Sequence, residues 1–223
     1  MKIDLVISLF DKDISWLKDI TNKNVYPVIY RKGDIASHKQ EVVIEPNVGR
    51  DVHTFFYHIL HNYDKLADVT FFVQDYPFDH WGDLIEILNS ETWEEKATLK
   101  NGGYYGFHNN TLGTAWSTPI QGWLDTNQHG SGKVLVCNND GSPQDLVNNI
   151  DVNEYWSKYF TNNPPSVYEF MPGGHFGVTK EQVRLRPKEF YERIVQDLAT
   201  IDNMPWIIER LECYIFSNLY DNN

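Results

Sequence analysis

Short apolar runs alternate with amphipathic stretches through the first third of the chain. Residues 3–9 are mostly apolar and suit a strand buried on both faces. Ile14, Leu17 and Ile20 then recur at helical spacing, and residues 25–30 supply a second strand that ends at the Lys32-Gly33-Asp34 turn signal. Residues 41–44 read as a third strand. After Pro46-Asn47-Val48-Gly49, the positions Val52, Phe55, Phe56, Ile59, Leu60 and Tyr63 trace one helix face up to Asp64. Residues 69–73 form the fourth and most apolar strand.

The second half is less regular. A helix is expected over residues 81–95 on Leu84, Ile85 and Leu88, whereas residues 100–165, rich in Gly, Asn, Thr and Trp, read as loops and small strands with a short helix around Tyr155. Residues 167–170 predict a strand, followed by the loop Met171-Pro172-Gly173-Gly174-His175-Phe176-Gly177-Val178. Thr179 with Gln182 makes a capping box, Pro187 suits the first position of a helix whose stripe is Phe190, Ile194 and Leu198, and a last helix is expected over 205–219. This alternation predicts an α/β fold, one domain over 1–223, with a mainly parallel central sheet flanked by helices. Ligands in such sheets bind beyond the carboxyl ends of the strands.

Composition narrows the partners. Asp and Glu outnumber Lys and Arg by 31 to 19, for a formal charge of −12, and the basic residues are not concentrated, which argues against nucleic acid. Arg184, Arg186 and Lys188 could at most suit one small anion. No apolar run is long enough to span a bilayer, the first residues read as a strand rather than a signal peptide, and Cys137 and Cys213 lack metal-ligand spacing. A cytoplasmic protein with free thiols is expected.

Three segments carry candidate chemistry. Asn47-Val48-Gly49-Arg50-Asp51 lies at a strand-to-helix junction, where helix amides and the Arg50 guanidinium favour an anion; a glycine turn with Asp51 capping the helix is the plainer alternative. Gln74-Asp75-Tyr76-Pro77-Phe78-Asp79-His80 follows an apolar strand and puts Asp75 at the sheet edge, where a carboxylate can bind a divalent cation or a sugar hydroxyl, or simply end the strand. Gly173-Gly174-His175 allows close backbone approach to a ligand, or makes a tight loop. On the last helix Glu209 and Glu212 fall on apolar flanks, which suits a general base or a structural ion pair with Arg210.

Taken together, Asp13-Ile14-Ser15-Trp16-Leu17, Tyr30-Arg31-Lys32-Gly33, the motif from Pro46 to Thr54, residues 69–80, Gly173 to Val178, Arg186-Pro187 and Glu209-Arg210-Leu211 resemble the domain-of-unknown-function 3431 family. Asp51 stands where that pattern has glutamate, and His175 where many members have glutamine. The family in turn resembles glycosyltransferases of the GT-A fold, through the asparagine-glycine, helix, apolar strand and aspartate order from Asn47 to Asp75. That resemblance implies a GT-A-like, nucleotide-diphospho-sugar transferase domain, with a donor nucleotide-binding half over 1–80 and an acceptor-side half over 81–223.

The resemblance further implies inverting transfer of a sugar from a nucleoside diphosphate sugar to a glycan or other hydroxyl acceptor. Ser8, Lys32, Asn47, Arg50, Asp51 and Gln74 are then the donor-binding residues, and His80, Gly174, His175, Trp116 and Arg210 the acceptor side. Glu209 is the expected base, with Asp75 as the alternative. Asp75 is also the one expected metal ligand, so Mn or Mg dependence and metal independence both stay open. Trp123 and Tyr105 are further stacking candidates for acceptor sugars. Two other classes fit the same residues, a metal-dependent hydrolase built on Asp75, Asp79, His80, His53 and His175, and a non-catalytic sugar-binding module.

Overall fold

The computed structural model describes residues 1–33, 41–43, 47–97, 99–107, 133–134, 150–165, 170–171 and 174–217. The strands are β1 (Ile3–Leu9), β2 (Val25–Arg31), β3 (Glu41–Val43), β4 (Val69–Gln74), β5 (Leu99–Asn101), β6 (Tyr104–Gly106), β7 (Lys133–Val134), β8 (Ile150–Asp151) and β9 (Phe176–Thr179). The α-helices are α1 (Arg50–Asn62), α2 (Leu84–Asn89), α3 (Val152–Tyr159), α4 (Lys180–Val183), α5 (Lys188–Thr200) and α6 (Met204–Ile215).

Seven strands form one sheet in the order β3-β2-β1-β4-β9-β6-β5, and β7 pairs with β8. The expectation of a mainly parallel sheet needs correction: β3, β2, β1 and β4 are mutually parallel, while β9, β6 and β5 join antiparallel. The reason is local. β5 and β6 are joined by Gly102 and Gly103, both at positive φ, and a connection this short makes a hairpin, not a crossover. Sequence reading placed no strand at Phe176 to Thr179, whereas these residues pair with β4 and, from Phe176 to Val178, with β6, and so knit the two halves of the sheet together. At Gly177 an added Cβ would lie 2.6 Å from the Phe71 ring, so a side chain here would collide across the sheet.

Both faces of the sheet are covered. On one face Val6, Phe72, Tyr104, Phe176 and Val178 pack with α1, α3, α5 and α6. Leu5, Ile7, Phe71 and Val73 take the other, against Ile14 and Trp16, Leu84, Ile87 and Leu88 of α2, and Trp93. Alternate residues of β1 and β4 therefore serve different layers, as period-two geometry requires. Each large side chain so buried contributes about 1.5–3 kcal/mol. The helix expected over 81–95 is shorter, with α2 followed by a 3₁₀ turn at Trp93–Lys96, and residues 15–19 are 3₁₀ rather than α. Thr179 accepts from the Gln182 amide as the capping box predicts.

The four parallel strands position the candidate site. The chain moves outward from β1 to β2 and β3, then α1 carries it back to β4 on the opposite side of β1. Progress reverses between β1 and β4, which makes the carboxyl ends of these two strands a crevice.

Candidate functional site

A cavity of about 580 Å³ opens at this crevice. It is lined by residues from all four parallel-strand exits: Phe10, Asp11 and Lys12 after β1; Lys32 after β2; Asn47, Gly49, Arg50 and Asp51 before and in α1; and Gln74, Asp75, Tyr76 and Asp79 after β4. Lys32, Asn47, Arg50, Asp51, Gln74 and Asp75, which sequence analysis grouped as one site, thus stand around one space. Phe10 and Tyr76 are 48% and 44% exposed, unusual for rings this large, and give the opening two apolar surfaces.

Asp75 is buried and both oxygens of its carboxylate accept backbone amides. Oδ2 accepts the backbone N–H groups of Phe10, Asp11 and Lys12 at 2.9, 3.0 and 2.9 Å, while Oδ1 accepts that of Tyr76 at 2.9 Å. The Trp16 indole donates to the Asp75 carbonyl. Each carboxylate oxygen offers about two acceptor positions, so the three amides saturate Oδ2, while Oδ1 takes one amide and keeps one position. The residue that ends β4 therefore shapes the loop that follows β1.

Lys32 plays a similar part beside α1. Its ammonium donates to the carbonyls of Val48 and Arg50, and burial lowers its pKa to about 8, with Asp51 pulling the other way. Those two bonds bracket a strained turn: Gly49 lies at φ 63° and Arg50, although not glycine, at φ 51°. The Gly49 Cα position is itself crowded, since a Cβ there would meet the Leu198 carbonyl at 2.6 Å. Gly49, not Asp51, stands at the N-cap of α1. Burial raises the Asp51 carboxyl; Arg50, Lys32 and a bond from Ser8 oppose that rise, and Asp75 adds to it. Ser8 is buried and also bonds Thr54, so it sits behind the cavity wall.

Of the acceptor-side candidates, His175 meets the lining residue Gln74, whereas His80, Gly174, His175 and Arg210 are themselves absent from the cavity lining. His175 is buried, its Nε2 accepts the Gln74 amide at 3.4 Å, and its ring meets His80 edge-on at 5.6 Å. Gly174, at φ 63°, faces the Glu209 side chain. Glu209 Oε2 accepts from Arg210 Nη1 at 2.6 Å, and Arg210 also donates to the Trp206 carbonyl and stacks on Phe170. The Arg50 guanidinium lies 5.1 Å from the Trp206 ring. α6 thereby links the cavity rim to the buried Glu209–Arg210 pair.

Beyond that pair, Glu212 is fully buried and neither carboxylate oxygen has a hydrogen-bond partner among the described residues. Burial first, then Glu209, pushes its pKa well up, against the pull of Arg210. The Tyr104 hydroxyl nearby is likewise buried and raised, by burial and then by Glu212, Cys213 and Glu209.

A family model described as "Protein of unknown function (DUF3431)" matches residues 5–223. The chain belongs to the DUF3431 family. No curated protein and no solved structure matched the chain.

In this DUF3431 chain, Trp116, Trp123 and Gly173 lie outside the described residues. Tyr105 packs edge-on against Trp93 at 4.9 Å and is not among the residues that line the cavity. Arg186, one of the small basic cluster, is buried and donates to the carbonyls of Tyr214, Ile215 and Ser217, capping the end of α6. No group of three or more His, Cys, Asp or Glu able to hold a metal occurs among the described residues. Lys12 is a lining residue that sequence reading did not single out, although its position just after an apolar strand was the available signal.

Proposed function

We propose that this DUF3431 protein binds a nucleoside diphosphate sugar in the β1/β4 crevice and transfers the sugar to a hydroxyl acceptor, in a domain of GT-A type. The observation that carries the reading is the cavity itself: a space of about 580 Å³ at a topological switch point, with Lys12, Lys32 and Arg50 around it and the start of α1 in its wall. Such a space is of the size that small-molecule sites occupy, and its cations and helix amides suit a diphosphate. Phe10 and Tyr76 offer faces to a base or a sugar ring.

Transfer with inversion requires a base for the acceptor hydroxyl and stabilisation of the departing diphosphate. Glu209 is assigned the first role. It is partly buried, is held in place by Arg210, and faces Gly174, where the absent side chain leaves room for an acceptor to approach. Arg50 and Lys12 take the second. His80, Gly174, His175 and Arg210 border the acceptor path, and Asn47, Asp51 and Gln74 border the donor.

A thermal-shift screen of nucleoside diphosphates and their sugars tests the binding step, because a ligand of the native state alone raises the melting temperature by mass action. Release of free nucleoside diphosphate from a stabilising donor distinguishes a transferase from a sugar-binding module. A screen with no stabilising nucleotide contradicts the proposal.

A further inference from the structure

Transferases of the GT-A type commonly meet the donor diphosphate with a metal ion held by aspartate, and Asp75 stands where such an aspartate is expected. The residues present do not fit that group. A divalent cation of this kind takes several oxygen ligands at about 2.0–2.6 Å. Asp75 Oδ2 is filled by the amides of Phe10, Asp11 and Lys12, and Oδ1, which accepts the Tyr76 amide, keeps one position. Asp75 can thus offer a cation at most one oxygen while keeping the bonds that fix the 10–12 loop, and one ligand does not make a metal site. Asp11 and Asp79 are exposed and form no metal-holding group with a third ligand among the described residues.

The cations of the site divide the same way, into those already committed and those that face the cavity. The Lys32 ammonium is committed to the carbonyls of Val48 and Arg50, and Arg210 is buried against Glu209 and the Trp206 carbonyl. Lys12 and Arg50 differ. Among the described residues Lys12 pairs only with its neighbour Asp11, at 3.3 Å with both side chains more than half exposed, a pair that solvent makes worth little. Arg50 is exposed, its guanidinium lies 5.1 Å from the Trp206 ring, and its planar fork of donors suits phosphate.

We infer that the crevice takes a diphosphate without a bridging metal ion, between Lys12 and Arg50, with Asp75 committed to the loop that carries Lys12 and Lys32 to the turn that carries Arg50. The two cations stand after β1 and at the start of α1, and the segments that carry them are held by the Asp75 carboxylate and the Lys32 ammonium. The inference rests on the donor reading for the identity of the natural ligand only.

Inorganic pyrophosphate is the probe, because it carries the diphosphate and no base or sugar. Calorimetric titration into the wild-type protein in EDTA should give saturable binding, and Lys12→Ala and Arg50→Ala should each weaken it by about ten- to a hundred-fold, as for hydrogen bonds to charged groups. Manganese alone, titrated into the apo protein, should give no saturable signal. Pyrophosphate binding that appears only with manganese overturns the inference. So does manganese binding to the wild type that Asp75→Asn abolishes, or the absence of pyrophosphate binding under both conditions. If pyrophosphate binds in EDTA through Lys12 and Arg50 but no nucleoside diphosphate sugar displaces it, this subsite stands and the donor reading falls.

Discussion

Arg50 carries two properties that substitution can separate. Its charge faces the cavity, while its backbone sits at φ 51°, where glycine is at ease and other residues are strained by about 1–3 kcal/mol. Arg50→Gly should therefore be more stable to urea than Arg50→Ala by about 1 kcal/mol, with both variants equally poor at binding nucleoside diphosphate. Equal stability of the two would place the strain elsewhere. Lys32 gives a pH signature. Its lowered pKa of about 8 means that the charge behind the turn is present below that pH and lost above it. Diphosphate affinity should fall as pH rises through about 8, and Lys32→Arg, charged throughout, should flatten the profile. The role of Lys32 was half legible from sequence: its place after β2 was readable, but not that its ammonium would be turned to carbonyls.

At the level of elements, α6 holds both carboxylates that apolar patterning singled out, and the structure separates them. Glu209 is partly buried and paired with Arg210, whereas Glu212 is enclosed and has no hydrogen-bond partner among the described residues. Glu209→Gln should leave the fold intact and lower turnover by roughly 10²–10⁴-fold, the usual contribution of a general base. Full activity in a folded Glu209→Gln protein would move the base elsewhere. Glu212 should behave differently. A carboxyl whose pKa rises on folding from its ordinary 4.5 contributes stability below that pH and loses it as pH climbs toward the folded value. Glu212→Gln should thus gain stability over the wild type at pH 7 and lose that advantage at pH 4, in paired urea titrations. The helical wheel gave both residues the same apolar flank, because their difference depends on β6 and the 174–175 segment packing against α6, contacts remote in sequence.

Across the whole molecule, the parallel half of the sheet was readable because each strand is an apolar run followed by a polar segment, and those polar segments became the cavity lining. The antiparallel half was not, because β5, β6 and β9 are three or four residues long and too short for their alternation to show. The acid limit of stability also belongs to this scale. His53 and His58 are buried on α1, and burial, with Lys32 and His61 near the first and Lys2 and Lys65 near the second, lowers their pKa values to about 4 and about 3. Both bind protons more readily unfolded, so stability should be full above about pH 6.5 and fall as pH drops toward 4. His58→Gln should soften that fall; an unchanged acid transition would assign it to other groups.

The central claim is that the β1/β4 crevice binds a nucleoside diphosphate sugar through its phosphates. Isothermal titration of a panel of nucleoside diphosphate sugars and their parent nucleosides into the wild type and Arg50→Ala tests it most directly. At least one diphosphate sugar should bind saturably to the wild type and lose about 1.5–3 kcal/mol in Arg50→Ala, while the nucleoside is nearly unaffected. Binding of no member of the panel, or equal affinity for both proteins, would contradict the account.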